Sequence, residues 1–308
     1  MFDNLWVEKY RPATLDDLIL SEENTGIIAK YGKDQEIPNL LFCGSPGTGK
    51  TTLAKIIVNS ILECQYLYIN ASDENGIDTI RSKVTQFAQT RSFDGCIKII
   101  ILDECDGLSQ DAQRALRNTM EEFAQSTRFI LTANYNHKII PALQSRCQSL
   151  DLTPPLDCCV NRIRYILKTQ NIRIPDNQTD QLKLFVKNNY PDLRRIINEV
   201  QKYTVSGELK ISDTTSCDTL VKKILALTLS RHVLKVRKYA IENEDAFNGD
   251  YIMLLGRIFD YVDRSKLDDN QKGMALVVIA EAMYRSAFVV DQEINFYSCM
   301  IQLSDTKN

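Results

Sequence analysis

The sequence is poor in the residues that build metal centres and disulfide frameworks. Histidine occurs twice, at His137 and His232, and none of the nine cysteines forms a C-x-x-C pair. The thiols are scattered at Cys43, Cys64, Cys96, Cys105, Cys147, Cys158, Cys159, Cys217 and Cys299. That spacing argues against a zinc site. Reduced cysteines packed as small apolar residues, in a cytosol-like compartment, fit better. There is no excess of basic charge either. Thirty-seven Lys and Arg face 40 Asp and Glu, for a formal net charge of −3. A global field that draws nucleic acid is therefore absent, and any nucleic-acid contact must come from a local patch or from several subunits together. Long apolar runs are also missing. "MFDNLWVEKYRP" has no apolar core of a signal peptide. "GMALVVIAEAMYRSAFVV" is interrupted by Glu281 and Arg285 and reads as a buried core helix, not a membrane span. No internal repeat or low-complexity tract occurs.

What is present describes a globular chain. The 308 residues are 44% hydrophobic and 25% charged, which points to two or three domains. Residues 39–152 alternate short β-rich runs with helical patterns. "NLLF" (39–42), "QYLYIN" (65–70), "KIIILD" (98–103), "RFILT" (128–132) and "SLDL" (149–152) predict strands, several apolar enough to be covered on both faces. "SQDAQRALRNTMEEF" has one apolar or small stripe at 112, 115, 116, 119, 120 and 123, with Ser109 as its N-cap. The alternation predicts an α/β module with a parallel sheet flanked by helices. After "TPP" (153–155) only helices are evident to about residue 203. "VSGELKISDTTS" (205–216) reads as a polar linker, and 217–305 reads as helical throughout. The expected domains are 1–152, α/β; 153–205, small helical; and 206–308, all-α.

"GSPGTGKT" (44–51) follows an apolar strand and opens a helix, the context that gives the G-x-x-x-x-G-K-[ST] pattern its meaning. The glycines let backbone N–H groups point at phosphate oxygens, and the helix start adds its positive dipole end. Lys50 is placed to reach the outer phosphates and Thr51 to ligate Mg²⁺. "IIILDE" (99–104), read here as lying on a neighbouring strand, supplies Asp103 for the metal shell and Glu104 to orient or deprotonate a water. "ILTAN" (130–134) ends in Asn134, a candidate for the γ-phosphate or the water, or else a simple turn cap.

"WVEKYRPATLDDL", "GSPGTGKTT", "NASDENGIDTIR", "DECDGLSQDAQRALRNTME", "NYNHKIIPALQSRC" and "PDLRRIINEV" occur in this order. Together they resemble the AAA+ ATPases of the sliding-clamp-loader type, the replication factor C small subunits and their tailed-phage counterparts. "SFDG" (92–95), "YPDLRR" (190–195) and "DQEINFYSCMIQL" look more like the phage branch, as in a phage clamp-loader large subunit. The resemblance implies a P-loop AAA+ module, a small helical lid and a C-terminal all-α collar that joins subunits. It also implies ATP with Mg²⁺, copies of the chain and a companion subunit in a pentameric ring-like assembly, a sliding clamp, and primer–template DNA. No membrane is implied, and the compartment is the cytoplasm, that of the host cell for a phage protein.

The resemblance carries roles to matching positions. Val7, Glu8, Lys9, Tyr10, Arg11 and Pro12 would lie along the adenine and ribose, with Tyr10 and Ile19 near the base; Trp6 and Tyr10 could instead be core. Gly47, Thr48, Gly49, Lys50, Thr51 and Thr52 would bind the phosphates. Leu193 and Arg194 would come from the lid, with Arg194 as the second sensor and Arg195 the weaker candidate. Arg146, in "QSRC", would enter the ATP site of the neighbouring subunit, a contribution of about 10³–10⁵ in rate for such fingers. DNA phosphates would be met by Arg81, Arg114 and Lys138, and less by Asn75, which stands where the family usually has a basic residue. Gln113 or Arg114 would relay DNA binding to Glu104. Phe87 or Phe93 would anchor the clamp, or belong to the core. Other readings are a branch-migration type motor and a non-hydrolysing structural subunit.

Overall fold

The computed structural model describes residues 5–73, 77–90, 97–175, 178–205, 207–210, 217–247, 249–265 and 268–305. Their contacts divide the chain into two compact units. One is Met1–Asp176 with Asn189–Leu209; the other is Asn177–Asn188 with Lys210–Asn308.

The first unit is built on a parallel sheet of β1 (Leu40–Cys43), β2 (Tyr66–Asn70), β3 (Lys98–Asp103), β4 (Thr127–Ala133) and β5 (Gln148–Asp151). Each strand lies within one residue of its expected run. Every residue of β1 and β3 is buried, as strands covered on both faces require. The order is β2-β3-β4-β1-β5. This corrects one expectation, because β3 with its acidic pair is not the neighbour of β1. β4 lies between them, pairing Ile130 with Leu40 and Phe129 with Ile100. Parallel strands are joined by crossovers, so a later, strongly apolar strand can insert between two earlier ones.

Along the chain the helices are α1 (Trp6–Lys9), α2 (Glu22–Asp34), α3 (Lys50–Ile56), α4 (Ile77–Gln89), α5 (Gln110–Glu122), α6 (Pro141–Gln144), α7 (Leu156–Thr169), α8 (Thr179–Asn189) and α9 (Leu193–Lys202). One cluster of apolar side chains gathers Ile100, Leu102, Phe129 and Leu131 with Leu116 and Met120 of α5. The other gathers Leu40, Phe42, Ile99 and Ile101 with Ile28 of α2 and Leu53 of α3. Ser109 caps α5 by accepting the Ala112 N–H at 3.2 Å. Ala112, Leu116, Thr119 and Met120 are buried along the expected stripe. The start of the expected linker is ordered instead. β6 (Thr204–Val205) and β7 (Glu208–Leu209) form a small antiparallel pair, and the Arg173 and Leu209 N–H groups donate to Gly207 O and Arg173 O. Gly207 supplies the turn with φ of 82°.

The second unit contains α10 (Cys217–Leu229), α11 (Val233–Glu242), α12 (Tyr251–Asp263), α13 (Asp269–Arg285) and α14 (Gln292–Asp305). Its core holds Phe247, Leu254, Ile258, Ile279, Phe296 and Met300. Here the sequence expectation also needs correcting. α13 is not buried all round: Ala275, Ile279 and Ala282 face the core, while Met274, Val277 and Tyr284 are exposed. A helix can bury only one stripe against its neighbours, so the apolar residues outside that stripe stay in solvent. Among the described residues no helix is long and apolar enough to cross a membrane. The described cysteines are free, and burial pushes the thiols of Cys147, Cys159 and Cys299 up to about 12. Cys159 and Cys299 are fully buried packing residues, whereas Cys158 is exposed.

Candidate functional site

The polar ends of the sheet strands meet in one pocket of the first unit. Its floor is the loop between β1 and α3. Gly47 and Gly49 have φ of 75° and 94°, a left-handed backbone that residues with a side chain adopt at a cost. Gly47 is constrained from outside as well, because a Cβ there would stand 1.8 Å from Asp192 Oδ1. Thr48 is buried and donates to Ser45 O at 3.0 Å. Lys50 is buried and donates to the carbonyls of Gly44 and Ser45, both at 2.8 Å. Burial pulls its amine below the usual lysine range, while the Asp103 and Asp106 carboxylates oppose that shift.

The acidic pair closes one wall. Asp103 is buried at the end of β3, and its carboxylate accepts the Thr51 hydroxyl at 2.8 and 2.9 Å. Two hard oxygen donors side by side suit Mg²⁺ completed by phosphate and water. Among the described residues no cluster of three or more His, Cys, Asp or Glu could hold a metal. Glu104 has φ of 57°, an uncommon left-handed conformation for a non-glycine residue and typical of strained functional positions. Its N–H donates to Thr132 Oγ1 at 2.9 Å, and its carboxylate accepts the Ser72 hydroxyl. Asn134 lines the pocket, with its N–H on Asp106 Oδ1 at 3.2 Å.

The opposite wall comes from the N-terminal segment and α9. Val7, Glu8, Tyr10, Arg11, Pro12 and Ile19 line the pocket, as do Leu193 and Arg194. Asp192 caps α9 by accepting the Arg195 N–H at 2.9 Å. Arg194, not Arg195, reaches the pocket. Trp6 is buried, and its N–H donates to Gln201 Oε1 at 3.0 Å, so α1 is tied to α9. Lys9 departs from the expectation. It does not line the pocket, because its amine lies over the Tyr10 ring at 5.6 Å from the centroid.

Other expected residues lie elsewhere. Arg146 is absent from the pocket lining, and its guanidinium pairs with Glu121 and donates to Ala142 O at 2.8 Å. Lys138 is exposed, with its amine 4.6 Å from the Tyr135 ring centroid. Arg114 is exposed and pairs with Asp111 at 2.9 Å. Gln113 is buried. Its amide donates to Leu108 O and Lys138 O and accepts the Ile140 N–H at 2.8 Å, stitching α5 to the segment after β4. Phe87 is half-buried against the core, beneath the buried Lys98 amine at 5.1 Å. That packing fits the core alternative for Phe87. Arg81 falls on α4. Asn75 and Phe93 lie outside the described residues.

Sequence reasoning missed several residues that line the pocket or hold its acidic pair. Arg162 of α7 lines the pocket and donates to Tyr10 O at 3.1 Å. Thr132 lines it beside Asp103. Tyr68 and Ser72 hold the acidic pair from β2 and the turn after it. Thr132 stands within the quoted "ILTAN", so a polar residue on an otherwise apolar strand was the available signal. Nothing local marks Arg162.

The comparisons with known proteins follow this geometry. Residues 40–154 match the model of the ATPase family associated with various cellular activities (AAA). The replication factor C small subunit of Thermofilum pendens is 34% identical over 99% of this chain and 97% of its own length. That of Sulfurisphaera tokodaii is 32% identical over 97% and 95%. Among solved structures, the Thermotoga maritima RuvB Holliday junction branch migration motor matches with a TM-score of 0.54 at 18% identity, covering 87% of this chain and 85% of that one. That likeness concerns the fold alone. Sequence similarity over almost the whole length carries the assignment: the chain belongs to the family of replication factor C small subunits, AAA+ ATPases of the clamp-loader type.

Proposed function

We propose that this ATPase binds ATP with Mg²⁺, opens a sliding clamp and loads it on primer–template DNA, with hydrolysis triggering clamp closure and release. The observation that carries the reading is the convergence of Lys50, Thr51, Asp103, Glu104 and Asn134 on one pocket. In this reading Lys50 leaves the carbonyls of Gly44 and Ser45 for the β- and γ-phosphates. Thr51 and Asp103 hold the metal, which supplies neutralisation of phosphate charge. Glu104 orients or deprotonates the attacking water, and Asn134 helps position it. Tyr10 and Ile19 take the base. Arg194 reaches the γ-phosphate from the lid, so nucleotide binding closes the lid.

Arg146 acts in trans, on the nucleotide of the neighbouring subunit. Its exposure and its absence from the chain's own pocket lining support that role. The functional domains are 1–152, ATPase; 153–205, lid; and 206–308, collar. The exposed apolar side chains of α13 and α14 support assembly through the collar, with copies of the chain and a companion subunit in a pentameric ring. Arg81, Lys138 and Arg114 meet DNA phosphates across the ring, with Asn75 a weaker contact. Phe93 is preferred over Phe87 for the clamp. "SFDG" and "YPDLRR" suggest the phage branch, with the host cytoplasm as the place of action.

The test is ATPase of the reconstituted complex with and without primed DNA and cognate clamp. Stimulation that needs both is expected. Processive unwinding without a clamp would indicate a branch-migration motor instead. Full activity in a complex bearing Lys50→Ala would indicate a structural subunit.

A further inference from the structure

Asp103 is gripped by hydroxyls from three separate elements. Thr51 of α3 donates to both carboxylate oxygens, Thr132 of β4 to Oδ1 at 2.6 Å, and Tyr68 of β2 to Oδ2 at 2.8 Å. Because β3 lies between β2 and β4, the carboxylate at its end is held from both flanks. Tyr68 is directly opposite Ile101, two residues before Asp103. Residues two apart share a face of a strand, about 6.6 Å along it, so only a long side chain at 68 spans the step. The Tyr68 ring is partly exposed and does not line the pocket. Its hydroxyl bonds a carboxylate that does line the pocket. The Lys55 amine covers the ring face, 4.6 Å from its centroid.

This arrangement separates two jobs. Packing at position 68 needs a ring, which phenylalanine would supply equally. The hydroxyl contributes only the bond to Asp103. When Thr51 turns its oxygen to a cation, Asp103 loses that donor, and Tyr68 and Thr132 are the ones left. Thr132 also accepts the Glu104 N–H, so it serves the backbone of the next residue. Tyr68 serves the carboxylate alone among the described bonds.

We propose that Tyr68 is a positioning residue for the metal-binding carboxylate, its hydroxyl holding Asp103 in place while Thr51 exchanges Asp103 for the cation. The inference rests on the ATP and Mg²⁺ reading of the pocket. Partners of a metal ligand of this kind typically contribute 10–100-fold in metal affinity.

The test is Tyr68→Phe in the full chain, with binding of a non-hydrolysable ATP analogue followed by fluorescence during Mg²⁺ titration and in EDTA. The Mg²⁺ concentration at half-effect should rise about tenfold, with affinity in EDTA unchanged. Lys55→Ala, which removes the ring contact and keeps the hydroxyl, should titrate like the wild type. An unchanged Mg²⁺ titration for Tyr68→Phe overturns the proposal. So does an equal loss of affinity with and without Mg²⁺, which means that the hydroxyl supports the pocket in general and not the metal ligand, or the same shift in Lys55→Ala, which traces the effect to the ring contact. If the wild-type chain binds no nucleotide under any condition, the nucleotide reading fails and this proposal with it.

Discussion

Lys50, Asp103, Gln113 and Thr132 in the first unit are polar or charged, buried, and bonded to partners within the chain. In the second unit Tyr284, Phe288 and Val290 are apolar and 72%, 73% and 104% exposed. The first pattern costs desolvation, and evolution keeps it where chemistry needs fixed dipoles and charges. The second leaves apolar area in water, which a monomer rarely does over a contiguous patch. The first pattern fits the nucleotide site, and the second is the surface on which the proposed assembly rests. Arg146 belongs to neither pattern. It is charged and exposed, and its guanidinium is held by Glu121 and the Ala142 carbonyl.

The comparison can be broken at several points. Arg146→Ala should slow hydrolysis at the neighbouring subunit's site about 10³-fold while its own ATP binding holds. Mixed complexes with one mutated subunit type, assayed for single-turnover hydrolysis, check this; a loss confined to its own nucleotide affinity would refute the trans role. Lys50→Ala should lower ATPase about 10²–10³-fold by removing the phosphate-binding cation, read by steady-state phosphate release. Val290→Asp should shift the assembly toward smaller species in sedimentation, while the melting of the free chain moves by no more than about 0.5 kcal/mol equivalent. Gln113→Ala should cost about 1–3 kcal/mol in chemical denaturation, because it strands Leu108 O, Lys138 O and the Ile140 N–H.

The site was largely legible where one residue type does one job at fixed spacing. The phosphate loop, the acidic pair and the N-cap of α5 depend on local backbone geometry, so a linear pattern carries them. Strand order was not legible, because β4 enters between β1 and β3 through crossovers whose length leaves order open. Tyr68 was read only as a strand residue. Its hydroxyl gains a purpose from Asp103, 35 positions away. Gln113 was suspected as a relay, and its three bonds across 25 to 27 positions and to Leu108 became visible only with the chain folded. Lys9, within the N-terminal segment, does not line the pocket, and its amine lies 5.6 Å from the centroid of the Tyr10 ring.

By itself the sequence determined the alternation of strands and helices, the place of the phosphate loop and the family. Each follows from hydrophobic period, glycine placement or motif order, which are properties of neighbours along the chain. Only the tertiary structure decided which strand lies beside which, which hydroxyls hold Asp103, and which face of α13 stays in solvent. Those outcomes depend on groups brought together from distant positions, and burial and hydrogen bonding are decided by space rather than by sequence order.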